Sequence, residues 1–120
     1  MKRILIVEDD TDLQELLRQG LSDAGYAVSV VGNGKEAVAV LTRRDGEMPD
    51  LVVLDVRMPG MDGIETMGHI LKLKRETPVI IHTAYLSYQH DALIAAADAF
   101  VVKSHDLTTL KRTIADLIGT

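Results

Sequence analysis

Residues 51–63 read LVVLDVRMPGMDG, and in this stretch four apolar residues are followed directly by Asp55. An ionised carboxylate in an apolar setting costs free energy unless a partner compensates its charge. Asp55 therefore either caps the end of a strand at the surface or belongs to a site that uses its charge. The polar residues elsewhere in the chain bear on this choice.

Five short apolar runs lie along the chain, and four of them are nearly continuous. Continuous runs are typical of strands that are buried on both faces of a parallel sheet. The runs are residues 4–7, 27–31, 51–54, 79–81 and 100–102. The second run contains Ser29, which indicates a strand at the edge of the sheet.

Apolar residues at helical spacing lie between the runs. The clear stripes are Leu13, Leu16, Leu17 and Leu21; Ala37, Val38 and Leu41; Ile64, Met67, Ile70 and Leu71; and Leu107, Leu110, Ile114, Leu117 and Ile118. Asp10 is the N-cap or N′ residue of the first helix, Asp62 opens the third, and Asp106 is the predicted N-cap of the last. Residues 85–97 carry only a poor stripe, which predicts a short, shifted or partly irregular fourth helix.

Five strands that alternate with five helices predict an α/β fold with a parallel sheet and right-handed crossovers. Ligand sites in such sheets lie beyond the carboxyl ends of the strands. The residues that follow four of the five strands are Glu8 and Asp9, Asp55, Thr83 and Lys103. Taken singly, each is more often a cap, a loop hydroxyl or a solvated charge. Their occurrence at one edge of one sheet predicts a functional site.

Three carboxylates on adjacent strand ends would raise one another's pKa, so they stay ionised only beside a compensating cation. Lys103 supplies one positive charge, and a divalent ion would supply the rest. Oxygen ligands without His or Cys suit Mg²⁺, which binds few protein carboxylates and keeps its waters. The four histidines lack metal-binding spacing, and only His82 is near the site.

Four motifs, ILIVEDD, LVVLDVRMPGMDG, PVIIHTA and AFVVK, together resemble the receiver domain of two-component response regulators. The resemblance covers the whole chain and implies a flavodoxin-like, doubly wound sheet of five parallel strands in the order 2-1-3-4-5. It also implies that Glu8, Asp9 and Asp55 hold Mg²⁺, with Asp9 a direct ligand. The backbone carbonyl of Arg57 would be a further metal ligand.

The same resemblance implies that Asp55 is the phosphoacceptor, and that Lys103 and Thr83 contact the phosphoryl group. Thr83 would be the switch hydroxyl and Phe100 the aromatic switch, although simple core packing is the alternative for Phe100. The donor would be a phosphohistidine of a sensor histidine kinase or a histidine phosphotransfer domain. The output would be a downstream protein that binds the face made by the fourth helix, the fifth strand and the fifth helix. Such a domain takes part in its own phosphotransfer and is not an enzyme in the ordinary sense.

Two departures from the family pattern stand close together. Lys103 is followed by Ser104, where the family usually has proline after a cis bond, and a cis bond before serine would cost roughly 3 kcal/mol. We therefore expect a trans Lys103–Ser104 bond. The segment from Thr83 to Phe100 is also shorter than usual, and its Tyr85 and Tyr88 are either exposed or packed in the core.

The composition excludes several classes of protein. The chain has 120 residues and a net charge of −5, from 13 basic and 18 acidic residues, which argues against direct binding of nucleic acid. It contains no cysteine. Only four apolar residues follow the basic pair Lys2 and Arg3, so we expect neither a signal peptide nor a membrane span at this end. We expect residues 1–120 to form a single receiver domain without an effector domain in this chain, located in the cytoplasm.

Three rival functions remain for comparison. An aspartyl phosphohydrolase would need a second carboxylate two positions after Asp55, where this chain has Arg57. A flavin-binding domain would need a phosphate-binding loop after the first strand, where the acidic EDDTD would repel a phosphate. The third alternative is a degenerate receiver, which binds partners without phosphorylation. The main reason to consider it is Ser104, which stands where the family usually has proline.

Overall fold

The computed structural model of the protein describes residues 1–43, 46–73 and 76–119. The strands are β1 (Arg3–Val7), β2 (Ala27–Val31), β3 (Leu51–Leu54), β4 (Val79–Thr83) and β5 (Ala99–Val102). The helices are α1 (Thr11–Asp23), α2 (Gly34–Thr42), α3 (Gly63–Lys72), α4 (Ala92–Ala95) and α5 (Thr108–Ile118), and a 3₁₀ turn, Leu86–His90, precedes α4. Each predicted apolar run became one strand.

The five strands form one parallel sheet in the order β2-β1-β3-β4-β5. This confirms the predicted α/β fold and its strand order. Every residue of β3 and β4 is buried, whereas all of β2 is partly or fully exposed. The difference follows from position, because β3 and β4 have a neighbour on both sides and β2 lies at an edge, as Ser29 indicated.

The sheet separates two layers of core, because successive residues of a strand point to opposite faces. On one face, Leu5 and Val7 of β1 pack with residues of α2, α3 and α4. On the other face, Ile4 and Ile6 pack with residues of α1 and α5. With both faces covered, the carboxyl ends of the strands and the loops after them are left to form a site.

Aspartates cap three of the helices, Asp10 at α1, Asp62 at α3 and Asp91 at α4, but not α5. Asp10 is the N-cap of α1 and accepts hydrogen bonds from the N–H groups of Asp12 and Leu13, and Asp62 caps α3. The prediction that Asp106 is the N-cap of α5 was wrong. Leu107 holds the cap position, and Asp106 instead accepts a 2.8 Å hydrogen bond from Thr108 N–H, two residues ahead. This turn leaves Asp106 just outside the helix.

The fourth helix is a single turn of four residues, which confirms the predicted short helix. Ile94 is its one buried side chain, while Leu86 and Leu93 are 56% and 38% exposed. Because this segment has no apolar stripe at helical spacing, only one of its side chains packs in the core, and a longer helix would have no apolar face to bury. Tyr85 is 47% exposed, and Tyr88 is partly buried against the core, so the two tyrosines divide between the two predicted environments.

Candidate functional site

Three acidic side chains from two neighbouring strand ends converge at the carboxyl edge of the sheet. β1 pairs with β3 so that Val7 lies opposite Leu54, and the N–H of Asp55 donates a 3.0 Å hydrogen bond to the carbonyl of Val7. This register places Asp55 beside the residues that follow β1. One carboxylate oxygen from each of Glu8, Asp9 and Asp55 lies within 4.8 Å of the others.

Burial differs sharply within this acidic cluster. Glu8 and Asp55 are only 1% and 4% exposed, whereas Asp9 is exposed to solvent. Two carboxylates therefore lie in the protein interior and the third faces the opening. A metal ion among these side chains could take one oxygen from each of them.

Lys103 lies between the two buried carboxylates. Its Nζ atom is 2.8 Å from Oε1 of Glu8 and 3.3 Å from Oδ1 of Asp55. Its backbone N–H donates a 2.8 Å hydrogen bond to the carbonyl of Thr83, which ties the end of β5 to the end of β4. One ammonium group thus serves two carboxylates.

The pKa values of both buried carboxyl groups are raised, because one ammonium group does not compensate for their burial. Burial, with a further contribution from the charge of Asp55, raises the pKa of Glu8 to about 7, although Lys103 opposes the shift. Burial also raises the pKa of Asp55 above its ordinary value, again against Lys103. Burial tends to lower the pKa of Lys103, but its contacts with Glu8 and Asp55 outweigh burial and raise it. The cluster favours an additional cation.

The donor set fits a hard divalent cation. Among the side chains that the structure describes, Oε1 of Glu8 is the one fully buried polar atom that makes no hydrogen bond of good geometry. It does lie within ion-pair distance of Lys103. The possible ligands are all carboxylate oxygens, which Mg²⁺ prefers over nitrogen or sulfur ligands. Glu8, Asp9 and Asp55 could therefore hold Mg²⁺.

Thr83 and Phe100 lie on the neighbouring strands β4 and β5. Thr83 is buried at the end of β4, and its hydroxyl accepts a 3.3 Å hydrogen bond from Tyr85 N–H. Within the described ranges, no hydrogen bond joins this hydroxyl to the acidic cluster. Phe100 is partly buried and packs on the core beneath α3 and α4.

Arg57 and Gly63 contribute to the site in ways that the sequence did not indicate. The guanidinium of Arg57 lies 4.6 Å from the centre of the Tyr85 ring, and Tyr85 meets Tyr88 edge to face at 6.2 Å. Gly63 donates a 2.7 Å hydrogen bond to the carbonyl of Val56, and a Cβ atom here would lie 2.5 Å from the Val56 Cα and would also clash with the carbonyl of Asp55. Sequence reasoning missed this role of Gly63, because close approach between α3 and the loop after β3 has no local sequence signal.

The family of response regulator receiver domains matches residues 4–115. The chain belongs to this family. It is 39% identical over 118 residues to the transcriptional regulatory protein YrkP of Bacillus subtilis, and 50% identical over 84 residues to a 14.6 kDa protein of Leptolyngbya boryana. These matches cover 96% and 68% of this chain but only 49% and 62% of the relatives, so the chain spans about half to two thirds of their length.

Solved structures of receiver proteins resemble the fold closely. Response regulator TrrA of Thermotoga maritima, solved with Mg²⁺ and BeF, has a TM-score of 0.89 and 41% identity, with 98% of this chain and all of that chain covered. TrrA has also been solved in complex with the histidine kinase ThkA, with a TM-score of 0.87. The receiver domain of sensor histidine kinase PA1611 from Pseudomonas aeruginosa, with magnesium in its active-site cleft, has a TM-score of 0.85 and 27% identity, with 99% of this chain and 98% of that chain covered.

Among the described residues, no helix is both long and apolar enough to cross a membrane.

Proposed function

We propose that Asp55 accepts a phosphoryl group from a phosphohistidine of a sensor histidine kinase or a histidine phosphotransfer domain, with Mg²⁺ as cofactor. The observation that carries this proposal is the position of Lys103, whose amine is 3.3 Å from the buried carboxylate of Asp55 inside an acidic cluster. A carboxylate needs its charge masked before an anionic phosphoryl group can approach, and this arrangement supplies that masking.

Each residue of the site has a defined part in this chemistry. An oxygen of Asp55 attacks phosphorus, the P–N bond of the donor breaks, and the donor imidazole keeps the bonding electron pair and takes up a proton. Lys103, already beside Asp55, pairs with the charge of the incoming group. Mg²⁺, when bound by Glu8, Asp9, Asp55 and the backbone carbonyl of Arg57, supplies further charge neutralisation at the phosphoryl oxygens. Phosphoryl transfer demands little else beyond positioning.

The comparisons support this function and its partner class. TrrA, with 41% identity, was solved with Mg²⁺ and BeF and also with a histidine kinase. Fluoroberyllates imitate a phosphoryl group on a carboxylate, so the TrrA structures are consistent with a phosphoacceptor that receives its group from such a kinase. The proposed compartment is the cytoplasm, where a histidine kinase has access to ATP.

The signal would pass from Asp55 through Thr83 to the surface. A phosphoryl oxygen would accept a hydrogen bond from the Thr83 hydroxyl and draw this group away from Tyr85 N–H, which now donates a 3.3 Å hydrogen bond to it. Movement of this hydroxyl would leave space that Phe100, only partly buried at present, could fill. The face formed by α4, β5 and α5 would then change, and a downstream protein would bind it. Residues 1–120 would act as one receiver domain in this scheme.

The degenerate receiver is the alternative that Ser104 raises. The Lys103–Ser104 bond is trans, as predicted, and the Lys103 amine still reaches both buried carboxylates. A proline at position 104 is therefore not needed to bring the amine to Asp55. This geometry favours a functional phosphoacceptor over a domain that only binds partners.

Intact-mass measurement after incubation with acetyl phosphate and Mg²⁺ tests the proposal. The wild-type protein should gain the mass of one phosphoryl group, and the Asp55→Asn variant should not. An Asp116→Asn variant, altered at an exposed acid of α5, is the matched control and should be phosphorylated like the wild type. A wild-type protein that gains no mass, with either acetyl phosphate or a phosphorylated histidine phosphotransfer domain, would establish the degenerate alternative instead.

A further inference from the structure

A cavity of about 300 Å³ lies between β5 and the first turn of α5. Its apolar lining is formed by Val101, Leu107 and Leu110 together with Phe100 and Val102 of β5, and its polar lining by His82, Ser104, Asp106 and Thr109. His82 is only 2% exposed, whereas Ser104, Asp106 and Thr109 lie at the surface. The cavity therefore has an apolar wall, one polar group at its buried end and a polar mouth.

Among the described residues, His82 is a buried polar side chain without a hydrogen-bond partner. It lies on β4 opposite Val101 of β5, so its ring is on the face of the sheet that α5 covers. In the part of the chain that the structure describes, neither ring nitrogen makes a hydrogen bond with the protein. Neither nitrogen is completely enclosed by protein atoms, so a molecule in the cavity can reach it. Buried polar groups nearly always have a partner. An imidazole that lines a cavity without one is placed to bind a molecule in that cavity.

The walls of the cavity are held in place by a close contact between helices. A Cβ atom at Gly20 of α1 would lie 2.5 Å from Cδ1 of Leu107, so α1 leaves Leu107 little room to move outward. At the mouth, Ser104 accepts a 3.2 Å hydrogen bond from Asp106 N–H, and Asp106 accepts one of 2.8 Å from Thr108 N–H. The loop is therefore internally braced, and the cavity is already formed, as small-molecule sites usually are.

The charges around the cavity select the kind of ligand. Burial, with a smaller contribution from the charge of Lys103, lowers the pKa of His82 to about 4. The imidazole is thus neutral near pH 7, with one nitrogen that donates a hydrogen bond and one that accepts. The carboxylate of Asp106 at the mouth opposes an anion, and burial next to Lys103 opposes a cation. An uncharged ligand meets neither obstacle.

We propose that this cavity binds a small, uncharged molecule of the phenol class, with its apolar ring between Val101, Leu107 and Leu110 and its hydroxyl hydrogen-bonded to His82. The volume is at the lower end of the range of about 300–1,000 Å³ that ligand pockets occupy, so a single ring is the appropriate size. His82 adjoins Thr83 in the chain, and Ser104 adjoins Lys103. Occupation of the cavity is therefore expected to be sensed beside the phosphoacceptor, but binding itself does not depend on the proposed function.

Phenol is the probe for the test, added to the full chain and followed by nuclear magnetic resonance. We expect saturable shifts confined to residues that line the cavity, together with a change in the ring-nitrogen signals of His82. A His82→Leu variant should bind phenol about fivefold more weakly, the factor expected for one lost hydrogen bond. A His69→Leu variant, changed at an exposed histidine of α3, should bind phenol as the wild type does.

A second probe keeps the test decisive if His82→Leu does not fold. Toluene has nearly the same size as phenol but lacks the hydroxyl, so it should bind the wild-type protein about fivefold more weakly. Toluene that binds as tightly as phenol, or a His82→Leu variant that folds and retains full affinity for phenol, would overturn the assignment of His82. Shifts that do not saturate, or that map elsewhere on the surface, would overturn the site itself.

Discussion

The amine of Lys103 lies 3.3 Å from the carboxylate of Asp55, and it is closer still, at 2.8 Å, to Glu8. One cation thus balances two buried anions, which leaves the site short of positive charge. This imbalance makes the stability of the protein depend on its acidic residues and on divalent ions, with consequences that can be measured.

The Asp55→Asn variant should be more stable than the wild type when no divalent ion is present. The change removes one of two buried carboxylates but keeps the pair between Glu8 and Lys103. We expect the free energy of unfolding to rise by about 1–2 kcal/mol, because repulsion between the carboxylates is relieved in a medium less polar than water. Urea unfolding at pH 7.5 with EDTA measures it, and Asp116→Asn is the control. A loss of stability in Asp55→Asn would contradict the imbalance.

Mg²⁺ should stabilise the wild-type protein in a concentration-dependent way. An ion that binds only the folded state adds about 2.7 kcal/mol at 100 times its dissociation constant. Replacing Asp9, the exposed member of the cluster, by Asn should weaken this stabilisation without harm to the core. Thermal unfolding across a Mg²⁺ titration is the measurement. Identical titrations for the wild type and Asp9→Asn would remove Asp9 from the metal site.

Two glycines of α3 provide a matched pair of substitutions. Gly63→Ala should lower the free energy of unfolding by about 1–3 kcal/mol, as overpacking does, because the new Cβ would meet the backbone of Asp55 and Val56. Gly68→Ala should instead raise it by about 0.5–1 kcal/mol, because alanine favours the helix and the nearest atom, Cδ1 of Leu93, is 3.7 Å away. Chemical denaturation measures both.

Gly63→Ala should also slow phosphorylation, because the displaced backbone carries Asp55. The rate of mass gain with acetyl phosphate and Mg²⁺ is the readout, with Gly68→Ala as control. If the two variants behave alike in stability and in rate, Gly63 does not position the phosphoacceptor.

The buried His82 should make the wild-type protein lose stability in acid. Its pKa falls from the ordinary 6.5 to about 4 in the folded state, so the unfolded chain binds the proton more readily between these values. Stability from this residue is present above pH 6.5 and is lost as the pH falls toward 4, by up to about 3 kcal/mol. The measurement is the difference in unfolding free energy between wild type and His82→Leu across that range.

Glu8 also makes the free energy of unfolding depend on pH, so its contribution must be separated from that of His82. The raised pKa of Glu8 works in the opposite direction, because the folded state then binds the proton more readily. Glu8 is present in both proteins, so its contribution cancels in the difference. A constant difference for His82→Leu between pH 7 and pH 4 would mean that the imidazole is not held neutral.

The fourth helix should exchange its amide hydrogens faster than the fifth. The four residues of α4 have Ile94 as their one buried side chain, whereas the longer α5 buries Leu110 and Ile114. Local opening is easiest where few apolar contacts hold a segment, so we expect protection in α4 to be at least roughly tenfold lower. Hydrogen exchange followed by mass spectrometry or magnetic resonance measures this. Equal protection in α4 and α5 would show that α4 is stabilised by contacts other than Ile94.

The sequence alone was sufficient to predict the class of fold, the strand order implied by the family resemblance, and the short fourth helix. Periodicity is a local property, and parallel strands bring their carboxyl ends to one edge whatever their side chains are. For this reason the convergence of Glu8, Asp9 and Asp55 with Lys103 was also predictable. The prediction for Asp106 failed because aspartate is typical both of helix N-caps and of turns that precede the cap, and here Asp106 forms such a turn.

Only the tertiary structure decided how these groups meet. The two carboxylates that share Lys103, the close approach of Gly63 to the loop after β3 and the stacking of Arg57 on Tyr85 each join residues from different elements. Such contacts depend on the distances between packed helices and strands, which leave no local signal in the chain. The cavity beside His82 has the same origin, since its walls come from β4, β5 and α5 and are held by a contact with α1.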